Sequence, residues 1–146
     1  MEISYRKATE ADIDFLLNLR KETMVPHLEN QHLFLSEEQH LNRIRFHFEV
    51  AYIILFKTGP IGLVKYCETK KEIQLLQLQI TPDLQGKGIG RKVLSFLKQQ
   101  SAQKKKQIKL TVLKSNPAQA LYQRFGFRIT GEDANEFHME LPVQVE

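Results

Sequence analysis

The stretch Gln85-Gly86-Lys87-Gly88-Ile89-Gly90, followed by Arg91 and Lys92, places three glycines and three cations within eight residues. The peptide N–H groups that open a helix lack intrahelical acceptors and lie at the positive end of its dipole. A glycine loop leading into a helix therefore suits a phosphate or diphosphate, because no Cβ keeps the anion from the main chain. Two phosphate motifs do not fit. A P-loop needs a glycine, four residues, then Gly-Lys-Ser/Thr, and neither Gly86 nor Gly88 is followed by that run. A dinucleotide fingerprint needs Gly-x-Gly-x-x-Gly, and counting from Gly86 its last position holds Arg91, too bulky for close helix packing. On these residues alone two readings stay open, an anion cradle and a flexible strand-to-helix turn that carries glycine.

Other reactive side chains offer less. His40 and His47 can share a helix face, yet no third ligand is spaced to join them, so no metal site is expected. The run Lys104-Lys105-Lys106 falls where a helix is expected to end, and it reads as cations complementing a helix C-terminus on a solvated face.

The elements that would carry these groups follow from period and punctuation. Residues 3–8 read as a strand, and Thr9 with Asp12 as a capping box that opens a helix. Ile13, Leu16, Leu17 and Met24 recur at helical spacing until Pro26 stops the pattern. Arg20 interrupts that stripe and is expected to pack its stem while its head reaches water. Residues 25–35 are unpatterned. Ser36 and Gln39 form a second capping box, with Leu41, Ile44 and Phe48 as the apolar stripe of a second helix. From residue 50 the period changes: 50–56 and 61–67 read as strands joined by a turn over Lys57–Pro60.

In the run 72–80, Ile73 and Leu75 share one parity and Leu76, Leu78 and Ile80 the other. Such a slip predicts a β-bulge near Leu75–Gln77 that turns both sets to one core. Pro82 ends that strand. A helix from Ile89 to about residue 103 and a strand over 108–113 complete a βαβ crossover, which makes the two strands parallel and the connection right-handed. Asn116 is a good N-cap, Pro117 fits the first turn, and Gly126 closes the short helix between them. Residues 127–131 and 137–141 look like a final strand pair.

A chain of 146 residues is about one domain long. Its 42% hydrophobic and 26% charged content gives no case for disorder or a fibrous class. One cysteine, Cys67, precludes an internal disulfide and points to a reducing compartment. Neither a membrane-spanning run nor a signal-peptide layout is present, so a cytoplasmic protein is expected. The net charge of +4 suits an anionic ligand without demanding a nucleic acid, and a nucleic-acid partner is not expected.

Taken together, LQLQITPDLQGKGIGRKVL (76–94) and LKSNPAQALYQRFGF (113–127) resemble the GNAT superfamily of acetyl-coenzyme A dependent N-acetyltransferases. Its loop pattern is Gln/Arg-x-x-Gly-x-Gly/Ala. The likeness is strongest over residues 72–131 and continues elsewhere as element order. It implies an α/β fold over a single domain, 1–146: a central mixed sheet with N-terminal antiparallel strands, a parallel βαβ crossover and flanking helices. By the same resemblance, acetyl-CoA is the acyl donor. Leu78, Gln79 and Ile80 would meet its pantetheine arm through their backbone. Gln85, Gly86, Lys87, Gly88, Ile89, Gly90 and Arg91 would hold its phosphates, Asn116 would touch the arm, and Tyr122 would give a proton to the departing thiolate. The spacing from Asn116 to Tyr122 is one residue shorter than in many members, and Asn116 also fits as a cap alone.

The implied reaction is direct acetyl transfer to an amine of a small molecule, peptide or protein, by a monomer or homodimer. The amine must be neutral, and for one of pKa about 10.4 deprotonation at pH 7 costs about 4.6 kcal/mol. The positions that carry a glutamate base in relatives hold Gln74 and Thr111 here. Glu72 is the nearest carboxylate and the base candidate, with a solvated strand-start charge as its other reading. A water relay along Gln74, Gln77 and Gln79 is the alternative. His27, Glu29 and His32 fall in the interhelical stretch that often lines the acceptor site in this superfamily. A catalytically idle acyl-CoA sensor on the same scaffold is the second functional reading.

Overall fold

The computed structural model describes residues 2–57 and 59–144. Strand β1 (Ile3–Lys7) runs into a 3-10 turn and then helix α1 (Ile13–Asn30), and Asp12 fixes that junction. Its carboxylate accepts two bonds from the Arg6 guanidinium and one from the Thr9 N–H, each 2.8 Å long. The Arg6 bonds hold the Asp12 carboxyl below the usual range, against the opposing effect of burial.

Helix α1 does not stop at Pro26, which lies inside it. A proline there forfeits one ladder bond and crowds the preceding turn, at about 3 kcal/mol. Burial of Leu28 two residues later offsets part of that cost. The helix closes instead on His32, whose φ of 59° is left-handed. His32 N–H bonds the Glu29 carbonyl and Leu33 N–H the Leu28 carbonyl, both at 2.9 Å, a Schellman closure with histidine in the usual glycine place. The first half of the stretch expected to be unpatterned is therefore helical.

Helix α2 (Glu37–Arg45) starts where its capping box predicts, with Gln39 N–H bonding Ser36 Oγ at 3.1 Å and Ser36 N–H bonding Gln39 Oε1 at 2.8 Å. Strands β2 (Ala51–Phe56), β3 (Gly59–Glu68) and β4 (Glu72–Ile80) follow; the turn expected at Lys57–Pro60 includes Thr58, outside the described residues. Helix α3 (Ile89–Lys104), strand β5 (Gln107–Leu113), helix α4 (Ala118–Arg124) and strands β6 (Arg128–Glu132) and β7 (Glu136–Leu141) complete the chain. The strands form one mixed sheet in the order β1-β2-β3-β4-β5-β7-β6. Strand β4 is parallel to β5, with Glu72, Ile73 and Gln74 opposite Gln107, Ile108 and Lys109. The pairs β1/β2, β2/β3, β5/β7 and β6/β7 are antiparallel.

The residues group into two compact units. The first holds the chain up to Lys65 together with Gln77–Ile89. In its core Leu16 and Leu19 of α1 and Ile44 of α2 pack with Ala51, Ile53 and Leu63. The second holds Tyr66–Leu76 and the chain from Gly90 onward, and buries Val93, Leu94 and Leu97 of α3 with Ile108, Leu110 and Val112 of β5 and Met139 of β7.

Along β4, Ile73, Leu75, Gln79 and Ile80 are buried, whereas Leu76, Gln77 and Leu78 are half-buried. Burial is odd-numbered at Ile73 and Leu75 and includes even-numbered Ile80 at the strand's end, and the register shared with β5 covers Glu72–Gln74. Among the described residues no helix is long and apolar enough to cross a membrane.

Candidate functional site

In the first unit the candidate residues follow the end of β4. Thr81 N–H bonds the Ile61 carbonyl at 2.9 Å, and a 3-10 turn over Pro82–Leu84 redirects the chain. The Gln85 carboxamide reaches back to the Ile80 carbonyl at 3.0 Å, which closes the base of the loop. Gly86 and Gly88 then take φ values of 75° and 86°, a region that a Cβ disfavours. A Cβ built on either would meet nothing within 4 Å. Among the described residues no carbonyl accepts from the N–H groups of Gly86, Lys87 or Gly88. These exposed donors precede α3 at Ile89, and Lys87, Arg91 and Lys92 are exposed in the same stretch of chain. Main-chain donors with open space beside them and positive charge nearby are what a diphosphate needs. The loop residues thus fit the phosphates of a coenzyme A.

Gly90 differs from its neighbours, because a Cβ there would lie 3.2 Å from Leu121 Cδ2. Its bareness lets α3 pack against α4. Upstream, Leu78, Gln79 and Ile80 lie beyond the register that β4 shares with β5. Gly62 on β3 supports them: a Cβ on it would collide with the Gln79 carbonyl oxygen. The signal for Gly62 was a glycine inside an apolar strand run.

In the second unit Asn116 caps α4, its Oδ1 accepting from Ala118 N–H at 2.9 Å. Its side-chain nitrogen makes no bond among the described residues and remains a donor. Tyr122 is 8% exposed, its ring 5.8 Å from that of Phe127. Among the described residues nothing hydrogen-bonds its hydroxyl. Burial pushes this phenol up to about 12. A Schellman closure fixes its helix: Phe127 N–H meets the Tyr122 carbonyl at 3.1 Å and Gly126 N–H the Gln123 carbonyl at 3.0 Å.

Glu72 is the first residue of β4, 3.5 Å through Oε2 from Lys109 Nζ. That oxygen is buried and makes no hydrogen bond. Gln74 Oε1 accepts from the Cys67 thiol at 3.5 Å. In the first unit, Gln77 donates to the Arg43 carbonyl at 3.2 Å. Thr111 is exposed on β5 opposite His138.

The first unit also buries a polar group that sequence reasoning missed. Arg20 is 6% exposed overall and donates from Nε to His40 Nδ1 at 3.0 Å. The His40 imidazole is held below its ordinary value, by burial first and then by Arg20 and Lys21. Lys65 on β3 is fully buried. Its ammonium donates to the carbonyls of Ile44 at 3.0 Å, Arg43 at 3.3 Å and Phe46, which satisfies the C-terminal end of α2. Burial lowers Lys65 to about 8, with Arg20 acting the same way. A lysine inside the run IGLVKYC was the signal for it. Among the described residues no metal-like group of His, Cys, Asp and Glu forms. Lys104 and Lys106 pair with Glu68, and Lys106 Nζ also meets the Thr69 carbonyl at 2.7 Å.

Several solved structures share this architecture. The PaiA N-acetyltransferase of Thermoplasma acidophilum, solved with coenzyme A, superposes with a TM-score of 0.72 at 21% identity, covering 97% of this chain and 99% of its own. An acetyltransferase of Thermus thermophilus gives 0.77 at 19% identity, with 97% of each chain covered. The spermidine N-acetyltransferase of Vibrio cholerae, solved with CoA and spermine, gives 0.69 at 21% identity over 97% of this chain and 95% of its own. Among curated proteins no sequence matches. A family model described as an acetyltransferase (GNAT) domain matches residues 22–141. Because that match spans most of its length, this chain belongs to the GNAT acetyltransferase family.

Proposed function

We propose that the chain is an N-acetyltransferase that moves an acetyl group from acetyl-CoA to a primary amine of a small molecule or peptide. The observation that carries the proposal is the pair of left-handed glycines, Gly86 and Gly88, whose N–H groups meet no carbonyl among the described residues and which have open space where side chains would stand. Bound acetyl-CoA would supply a thioester acyl group. The loop from Gln85 to Gly90, with Arg91, would hold its phosphates. The backbone of Leu78–Ile80 and the spare amide donor of Asn116 would hold the pantetheine arm.

Tyr122 is assigned to the departing sulfur. At a pKa of about 12 full proton transfer to a thiolate of ordinary acidity, near 8.5, is uphill by about 5 kcal/mol. The phenol therefore donates a hydrogen bond that steadies the leaving sulfur, and the proton released by the acceptor amine neutralises it. Glu72 precedes Leu78 by six residues, about 20 Å along an extended strand, and its carboxylate is drawn to Lys109. We therefore assign Glu72 a structural part and amine deprotonation to water.

Titration calorimetry with acetyl-CoA, paired with thiol release over a panel of amines, tests the proposal. Saturable heat and amine-dependent thiol release are expected, and no heat at millimolar acetyl-CoA would overturn it. Gln74 and Thr111, at the family's base positions, favour a second reading, a catalytically idle acyl-CoA sensor. Binding without thiol release from any amine would select that reading.

A further inference from the structure

Burying a guanidinium without a counter-charge is costly, because its lost hydration must be replaced by protein charge or hydrogen bonds. Two cations in the first unit meet that demand differently. Lys65 is fully buried, but its ammonium donates to three carbonyls at the negative end of α2. Arg20 is nearly as buried, and among the described residues its one hydrogen-bond partner is the neutral His40 imidazole. Among the described residues no carboxylate pairs with Arg20, whereas Arg6 pairs with Asp12 and Arg45 with Glu10.

The surroundings sharpen the imbalance. Burial lowers Arg20 to about 10 and Arg43 adds to the effect, while Arg20 in turn lowers Lys65. Like charges thus face one another where an anion would relieve both. The bond from Nε to His40 occupies one donor and fixes the plane of the guanidinium. It leaves the two Nη groups, an end-on pair that suits the two oxygens of a carboxylate.

Contacts within this unit lead from that cluster to β4. Lys65 Nζ and Gln77 Nε2 share the Arg43 carbonyl, at 3.3 and 3.2 Å. Gln77 immediately precedes Leu78, the first residue assigned above to the pantetheine arm.

We propose that Arg20 is a specificity residue that binds a carboxylate carried by the acceptor, so that the enzyme favours amino-acid-type amines over neutral ones. This rests on the acetyl-transfer reading, but the anion site can be tested apart from it. Acetylation of β-alanine, O-phosphoethanolamine and ethanolamine compares a carboxylate, a phosphate and a neutral group on one aminoethyl frame. In the wild type, kcat/KM for β-alanine is expected to exceed that for ethanolamine by about tenfold to a hundredfold, mainly through KM. Arg20→Gln is expected to remove that advantage, and Arg20→Lys, which keeps the charge and loses the fork, to retain part of it. Equal wild-type rates for β-alanine and ethanolamine would overturn the proposal even if neither variant folds. Preference for O-phosphoethanolamine over β-alanine would overturn the choice of carboxylate.

Should no amine be acetylated, the acetyl-transfer reading fails and acetate alone decides the site. Replacing chloride by acetate at constant ionic strength is expected to raise the wild-type Tm by about 2–4 °C. No rise, or an equal rise in a folded Arg20 variant, would overturn it.

Discussion

Tyr122 and Glu72 divide at the scale of single residues. Tyr122 has a buried ring and a hydroxyl that nothing among the described residues hydrogen-bonds, so Tyr122→Phe keeps the packing and removes only the donor. Its kcat is expected to fall about a hundredfold, with acetyl-CoA affinity by calorimetry unchanged. Equal turnover in the variant would remove the phenol from the mechanism. Glu72 sits beside Lys109 at the start of β4. Glu72→Gln is accordingly expected to hold kcat/KM within about threefold, since Glu72 stands six residues, about 20 Å of extended strand, before the stretch assigned to the pantetheine arm. A drop of a hundredfold or more would restore Glu72 as the base.

At the scale of elements, the loop between β4 and α3 and the joint between α2 and β3 make separate demands. Gly88→Ala must hold a left-handed φ with a Cβ, at about 1 kcal/mol in stability. The added methyl enters the space assigned to the phosphates. Acetyl-CoA binding by calorimetry is expected to weaken by about tenfold or more, beyond what the loss of stability explains. Lys65→Met leaves the Arg43, Ile44 and Phe46 carbonyls without their ammonium donor, while relieving a buried charge. The unsatisfied carbonyls outweigh the relief, and denaturant melts at pH 7 are expected to show a loss of about 1–3 kcal/mol.

For the whole molecule, the shifted groups set how stability follows pH. His40 is depressed below 6.5, so its contribution is present above that value and is lost on acidification through the folded pKa. Lys65 is depressed from 10.5 to about 8. Between those values the unfolded chain binds more protons, so stability rises with pH. Tyr122 is raised from 10 to about 12 and works the other way across that upper window. Stability by denaturant melts is therefore expected to climb from pH 8 to 10, and a scan of Lys65→Met to stay flat there. An equal climb in the variant would assign the rise to other groups. Acetyl-CoA at a hundredfold over its Kd is expected to add about 2.7 kcal/mol at any pH where it binds.

Short-range rules carried much of the fold. The cap at Ser36–Gln39, the cap at Asn116, the closure at Gly126 and the glycine loop each depend on residues a few positions apart, and sequence alone placed them. Hydrophobic period likewise placed β5 and the parallel crossover. Contacts between distant segments decided the rest. Leu28 carries α1 past Pro26; Arg20 is drawn inward by His40, twenty residues away; Lys65 is held by carbonyls of α2; and Gly62 lets the Gln79 carbonyl approach. Local pattern ranks a residue by its own polarity, whereas its burial depends on the partner that meets it, and only the folded chain supplies that partner.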